Sequence, residues 1–317
     1  MKLFEFSKKY PDELSCRLEF KAQRESAGIK CKKCGNTSHY WKKSREQWEC
    51  KKCAHRTTLR SGTVMENSKL PFLDWFMAMH LLTATKKSFS AKEIQRQLGR
   101  KRYEPVWAML HKIRAIMGLR EDEYMLYGES ELDDGNFETV SIKSKTEKRK
   151  RGRGSQKQTT VLVAAESFPV TSDVPIAIGK NKKYAKKRKL RFIKMKVINS
   201  FKKELTKTIV NDMIATKSKI LTDGSNSYND LKQDYNHISE VFKKDEASKK
   251  LPWVHTSISN AKRLLLDVHH RIDEDFLQNY LNEYTYKLNR RYFDDIFGRL
   301  LTISTQYRWN WLGERYG

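Results

Sequence analysis

The chain has 317 residues, 64 Lys and Arg against 38 Asp and Glu, and a formal net charge of +26. With 38% hydrophobic and 11% aromatic residues it can bury real cores, which excludes a disordered basic tail, and the length suits two or three domains. The longest apolar stretch, Trp75 to Thr85, is too short to cross a bilayer, and Lys8 and Lys9 interrupt the N-terminus before a signal-peptide core develops. A cytoplasmic protein with a polyanionic partner is expected, nucleic acid first, because each phosphate neutralised by Lys or Arg releases condensed counterions.

Four of the five cysteines form Cys31-x2-Cys34 and Cys50-x2-Cys53. This is zinc-ribbon spacing: each pair makes a tight turn aiming two thiolates at one point, and two turns complete a tetrahedral shell. Lys32, Lys33, Lys51 and Lys52 lie within the turns, where positive charge favours the thiolate. Residues 39–41 and 47–49 read as short aromatic-faced hairpin strands. So small a ribbon has no core without metal, so zinc is structural in this reading. Cys16 falls outside the pattern and reads as a small core residue.

Helical periodicity follows from Leu70 to Leu82. Ser90 can cap a helix over 91–98, with Glu93 in capping-box position and Gly99 to end it. A further helix fits Tyr103 to Met117, with Val106, Leu110, Ile113 and Met117 on one stripe and His111, Lys112 and Arg114 off it. Helix, glycine turn and helix with basic exposure is the pattern of a helix-turn-helix; a plain helical linker fits it equally. Arg96, Arg100, Lys101, Arg102 and Lys112 are the candidate DNA contacts here.

The remaining two thirds reads as an α/β domain. Strand-like runs cover 124–132, 159–165 and 190–198, followed by a helix over 204–214 and a short strand, Lys219 to Thr222, running into Asp223. Two basic connectors intervene: Lys143 to Lys157 has eight basic residues and one acid, and Lys180 to Lys196 has ten and none. Loops of this kind suit a phosphate backbone, with Arg149, Arg151, Arg153, Lys186 and Arg188 as candidate contacts. The order of elements is that of a ribonuclease-H-like mixed sheet. Asp133-Asp134-Gly135 reads as a turn closing the first strand, so Asp133 and Asp223 both stand at strand ends. Turn chemistry accounts for either alone. Together they are a pair of oxygen ligands of the kind Mg²⁺ takes, leaving room for water and substrate phosphate. The expected layout is a zinc ribbon with an N-terminal extension over 1–62, a helix-turn-helix region over 63–120 and a ribonuclease-H-like catalytic domain with C-terminal helices over 121–317.

Taken in order, the zinc ribbon, the helix-turn-helix, residues 131–135, 151–156 and 222–224, Tyr228, His237, residues 254–256 and 258–262, residues 280–283 and 289–291 resemble the bacterial insertion-sequence transposases of the DDE type that carry a zinc-ribbon head. The resemblance spans roughly residues 20 to 295. It implies that Asp133 and Asp223 are the two aspartates that hold the catalytic Mg²⁺ or Mn²⁺, and that Asn260 is the third ligand, in the branch that uses Asn where many members have Glu. It also implies a basic companion, for which Lys262 is the candidate. Helix geometry complicates that pairing, since residues two apart point about 200° away from each other. Arg263 and Asp267 share the face of Asn260, so Asp267 rivals it as ligand and Arg263 rivals Lys262. Asp134 stands where relatives commonly have Glu. His255, His269 and His270 are candidate phosphate contacts or proton shuttles, with surface or capping roles equally open.

The resemblance further implies two-metal phosphoryl transfer: hydrolysis at an element end to expose a 3′-hydroxyl, then transfer of that hydroxyl to target DNA, in a functional dimer or larger assembly. Two other readings fit the same residues. One is a non-catalytic zinc-ribbon regulator or inactive relic, and the other a structure-selective nuclease of the same fold.

Overall fold

The computed structural model describes residues 1–140, 158–170, 188–198, 203–243 and 246–308. Arg149, Arg151, Arg153 and Lys186, with all of the first basic connector and residues 180–187 of the second, lie outside the described residues; the rest of the second, from Arg188, is strand rather than loop. In chain order the elements begin with helices α1 (Leu3–Lys9) and α2 (Glu13–Ala27), strands β1 (His39–Lys42), β2 (Gln47–Cys50) and β3 (Arg56–Thr58), and helices α3 (Phe72–Ala84), α4 (Ala91–Gln97) and α5 (Glu104–Asp122). Strands β4 (Glu129–Glu138), β5 (Gln158–Pro169) and β6 (Arg188–Ile198), helix α6 (Lys203–Met213), and strands β7 (Lys219–Asp223) and β8 (Asn236–Glu240) follow. The chain closes with helices α7 (Ala247–Lys250), α8 (Pro252–Val268), α9 (Glu274–Asn289) and α10 (Ile296–Gln306). None of the described helices is long and apolar enough to cross a membrane.

Two compact units result: residues 1–120 with 292–317, and residues 121–291. The expected C-terminal domain ran to 317. The structure instead ends that unit at Arg291, because α10 packs on α2 and α3, filling an aromatic core in which Phe297 meets Phe6, Tyr10 and Phe76. In the same unit Asp12 caps α2 by accepting from the Ser15 N–H, and α2 carries the ribbon: Arg24 donates to the carbonyls of Thr58 and Leu59 and lies over the Trp48 ring. Cys16 is fully buried on this helix, and burial pushes its thiol up to about 12.

Ser90 caps α4, and Gly99 ends it at φ +63°, a left-handed conformation that a side chain would strain. The expected basic exposure on α5 is not found. His111 and Arg114 are buried, Arg114 donating to the Phe89 carbonyl, and Lys112 donates inward to the Glu66 carbonyl. A helix packed on most sides has no free face for a phosphate, so exposed basic charge falls instead on Arg96, Lys101 and Arg102, at the end of α4 and in the turn.

The second unit is built on a five-stranded sheet in the order β6-β5-β4-β7-β8, with β5 antiparallel to both neighbours and β4, β7 and β8 parallel. This is the ribonuclease-H-like arrangement. Alternation along β4 divides its side chains: Phe137 joins the core beneath α8 and α9, while Leu132 joins the core on the α6 face. Asp-Gly at 134–135 is not a turn; β4 stays paired with β5 through Glu138. Gly135 is where α8 crosses β4, and a Cβ there would lie 3.0 Å from Ile258 Cγ2. The Asn289-Arg290-Arg291 run is likewise structural. Asn289 pairs with both the N–H and the carbonyl of Ile193, Arg290 forms a buried ion pair with Glu121, and Arg291 donates to the Leu190 carbonyl, fastening the end of α9 to β6.

Candidate active site and metal centre

The cysteine turns bring Cys31, Cys34, Cys50 and Cys53 together with their sulfur atoms within 4.8 Å of one another. Two of the closest contacts, Cys31 to Cys53 and Cys34 to Cys50, are 3.5 Å. That is near the edge of a tetrahedron of about 2.3 Å Zn–S bonds, and four thiol donors form a donor set suited to zinc. Burial opposes ionisation of Cys50. The Cys53 N–H, the Asn36 amide at 3.6 Å and the Lys52 N–H outweigh it, bringing its thiol down to about 6. The cluster fits a zinc ribbon.

The second cluster is assembled by the sheet of the other unit. Strands β4 and β7 pair in parallel as Glu129 with Lys219, Ser130 with Ile220 and Glu131 with Leu221. The pairing ends there; in a parallel register two residues further on, Asp133 and Asp223 fall on the same side of the sheet, the side facing α8, and the charge of Asp223 reaches both Asp133 and His255. Asp134 points to the opposite face and donates its N–H to Asp133 Oδ1. Asp223 Oδ1 accepts from the Ser225 N–H, so the turn role foreseen for that residue is present alongside its position in the cluster.

Burial, followed by the charges of Asp134 and Asp223, pushes the Asp133 carboxyl up to about 7 against the opposing Asp134 N–H. A buried carboxyl beside other acids has its charged form disfavoured, and a divalent cation relieves that cost, so this donor set fits Mg²⁺ or Mn²⁺.

Helix α8 supplies the third wall. Pro252 occupies its first turn, and the Glu131 carboxylate accepts from the backbone N–H groups of Trp253 at 2.7 Å and Val254 at 3.0 Å. Burial pushes Glu131 up to about 7 despite these donors. The anchor sets His255 beside Asp133, with Nε2 3.4 Å from Oδ2. Burial lowers the proton affinity of His255, and the charge of Asp223 opposes that shift.

Further along the same flank, Lys262 lies over the Phe137 ring at 5.6 Å. Asn260 is exposed and turned about 140° around the helix from His255; Arg263 and Asp267 are exposed as well. The structure thus brings together Asp133, Asp223 and His255, and leaves Asn260 on another side of α8.

Among the DNA candidates, Arg100 makes a two-pronged ion pair with Asp74 at 2.6 and 2.8 Å. Arg188 donates to the hydroxyl and carbonyl of Ser167. His237, on β8, meets the buried Thr222 hydroxyl at 2.8 Å, and Tyr228 is buried in the α6-side core. The sequence reading missed the anchoring role of Glu131. Its signal was the odd-numbered position, two before Asp133, that a strand continuing to 138 would have exposed.

Residues 125–289, just over half of the chain, match the family described as ISXO2-like transposase domain. No curated protein matches. Among solved structures the chain is similar to a pre-cleavage Mos1 transpososome, at 10% identity over 73% of this chain and 78% of that one, with a TM-score of 0.28. It is also similar to the Mos1 transposase paired-end complex with the left transposon end, at 9% identity over 73% and 79%, with a TM-score of 0.29. The Mos1 mariner paired-end complex with Mn gives 10%, 73% and 78%, and 0.28. The span of the family match runs from just before β4 to the end of α9, taking in both aspartates and α8, and this chain belongs to the ISXO2-like transposase family.

Proposed function

We propose that the protein is an insertion-sequence transposase that binds the ends of its element, cuts DNA by divalent-metal-dependent hydrolysis to expose a 3′-hydroxyl, and transfers that hydroxyl to target DNA. What supports the reading is that the parallel β4–β7 pairing, two residues short of Asp133 and Asp223, puts both on one side of the sheet, with the charge of Asp223 felt at Asp133, inside the span matched by the transposase family. Asp133 and Asp223 would hold the divalent ions, with Asn260 the third ligand that the resemblance implies. From its exposed position, Asn260 reaches the centre only if substrate binding turns or shifts α8. When bound, the ions supply Lewis acidity to both oxygens of an in-line displacement at phosphorus.

The chain's own residues do the rest. Glu131 and Gly135 fix the start and the close approach of α8, and Asp134 fixes the Asp133 carboxylate through its N–H. Cys31, Cys34, Cys50 and Cys53 would hold structural zinc, making the ribbon a rigid platform. Arg96, Lys101 and Arg102, with the basic connectors, would hold phosphates without reading bases. Synapsis of two element ends calls for at least a dimer in function.

The experiment uses labelled duplexes carrying the DNA that flanks the reading frame, with Mg²⁺ or Mn²⁺. Nicking at a fixed end position followed by joining to target supports the proposal. Binding without any metal-dependent cleavage would make the protein a non-catalytic binder instead.

A further inference from the structure

We propose that His255 is a metal ligand of the aspartate centre, offering Nε2 to the cation held by Asp133 and biasing the centre towards manganese-like ions over magnesium. This rests on the reading that Asp133 and Asp223 hold a divalent cation. It begins from an unsatisfied atom: His255 Nε2 is buried and makes no hydrogen bond, although the ring is only half-buried and sits among polar groups. Buried polar atoms left unpaired call for a partner, and a ring nitrogen beside the Asp133 carboxylate is placed to share a cation with it.

The distances agree. Two ligands at right angles on an octahedral ion with bonds of about 2.1 Å lie about 3 Å apart. Nε2 and Asp133 Oδ2 are separated by 3.4 Å, within a few tenths of an ångström of that, without the alignment of a hydrogen bond.

The ring is held there by the backbone. Glu131 accepts from the first N–H groups of α8, and Ile258 sits against Gly135 one turn on, so in this structure the start of the helix is held against β4. His255 and Lys262, seven residues apart and nearly eclipsed, look towards β4, whereas Asn260 looks away. A helix that presents one side chain to the acids presents this one.

The consequence is selectivity. Mg²⁺ prefers oxygen donors, whereas imidazole nitrogen binds later first-row divalent ions more strongly. Replacing an oxygen ligand by His255 should therefore raise the preference for Mn²⁺.

The test uses the zinc-loaded full chain titrated with Mn²⁺ and observed by continuous-wave and pulsed electron paramagnetic resonance. The wild type should show a directly coordinated nitrogen on bound Mn²⁺. His255→Ala and His255→Gln should lose that coupling and weaken Mn²⁺ binding at least about tenfold, since even outer-shell partners of metal ligands are worth 10–100-fold. Mg²⁺ affinity should change less, and Asn260→Ala should keep the nitrogen signal. A wild-type centre that binds Mn²⁺, loses it in Asp133→Asn and Asp223→Asn, yet shows no nitrogen coupling and no change in His255→Ala, overturns the role of His255 alone. Mn²⁺ binding unaffected by Asp133→Asn and Asp223→Asn, or no binding at all, overturns the parent reading. The wild-type spectrum decides the matter even where an alanine variant fails to fold.

Discussion

The two clusters of this molecule are assembled in opposite ways. The four cysteines sit in two turns within 23 residues of sequence, and their geometry follows from local structure. The two aspartates lie 90 residues apart and meet only because β4 and β7 pair in parallel with one particular register. The first cluster is a fold-maker with no core of its own beneath it. The second is mounted on a core that exists without it. Loss of the first should therefore cost structure, and loss of the second should cost chemistry alone.

The sharpest break of that contrast is zinc removal. Chelation, or Cys50→Ser, should unfold the ribbon, because apparent zinc binding of about 10 kcal/mol is folding free energy in such small domains. Trp48 is the reporter: its indole donates to Glu25 and its ring lies under Arg24. Loss of the metal should release both contacts and shift tryptophan emission to the red. Unchanged emission and an unchanged melting profile in the metal-free protein would remove zinc from any structural role.

The aspartates should behave in the reverse way. Asp133→Asn or Asp223→Asn should lower strand cleavage by about 10³-fold or more, the scale on which metal-dependent phosphoryl transfer depends on its electrostatic clamp. End binding should persist. The melting temperature of Asp133→Asn should hold or rise, since the substitution removes a buried carboxylate whose charged form is already disfavoured. Loss of DNA binding in these variants would mean that the acids support the fold rather than the reaction.

This difference in assembly also explains what the sequence disclosed. The cysteine spacing, the capped helix after Ser90 and the short strand into Asp223 are local patterns, and each is found within a few residues of its expected place. Asp134-Gly135 misled because the same dipeptide serves a tight turn and a strand crossed closely by a helix; only the packing of Ile258 distinguishes them. His111, Lys112 and Arg114 read as exposed because basic residues usually are, but α5 is enclosed: Lys112 and Arg114 donate to carbonyls within the unit, and the buried His111 ring packs against Trp107. The side of α8 that faces the acids depends on Glu131 and Gly135, more than a hundred residues earlier, and no pattern within the helix encodes it. The return of α10 to the first unit is equally non-local.

Gly135 tests the mounting of the aspartate centre at a smaller scale. Gly135→Val should force Ile258 and α8 off β4, costing about 1–3 kcal/mol as overpacking does. It should reduce cleavage more than DNA binding, because the displaced helix carries His255. A variant that unfolds at the wild-type denaturant midpoint would show that α8 does not depend on this close approach.

The smallest effects separate the arginines of the turn, and they reproduce the same contrast within one short segment. Arg100 is committed to Asp74, whose side chain is only 6% exposed. Arg100→Ala strands a buried carboxylate and should cost about 1–3 kcal/mol of stability, with DNA binding affected mainly through the fold. Arg96 is exposed on the last turn of α4, and among the described residues no ion pair engages it. Arg96→Ala should leave the melting temperature unchanged, weaken DNA binding a few-fold at every sequence, and reduce the slope of log affinity against log salt by about 1, the signature of one lost phosphate contact. Stability and salt slope respond to different physics, so measuring both on each variant assigns each arginine to structure or to DNA. If Arg96→Ala leaves the salt slope untouched, the turn is not a phosphate-binding surface, and the basic charge that meets DNA must lie elsewhere on the chain.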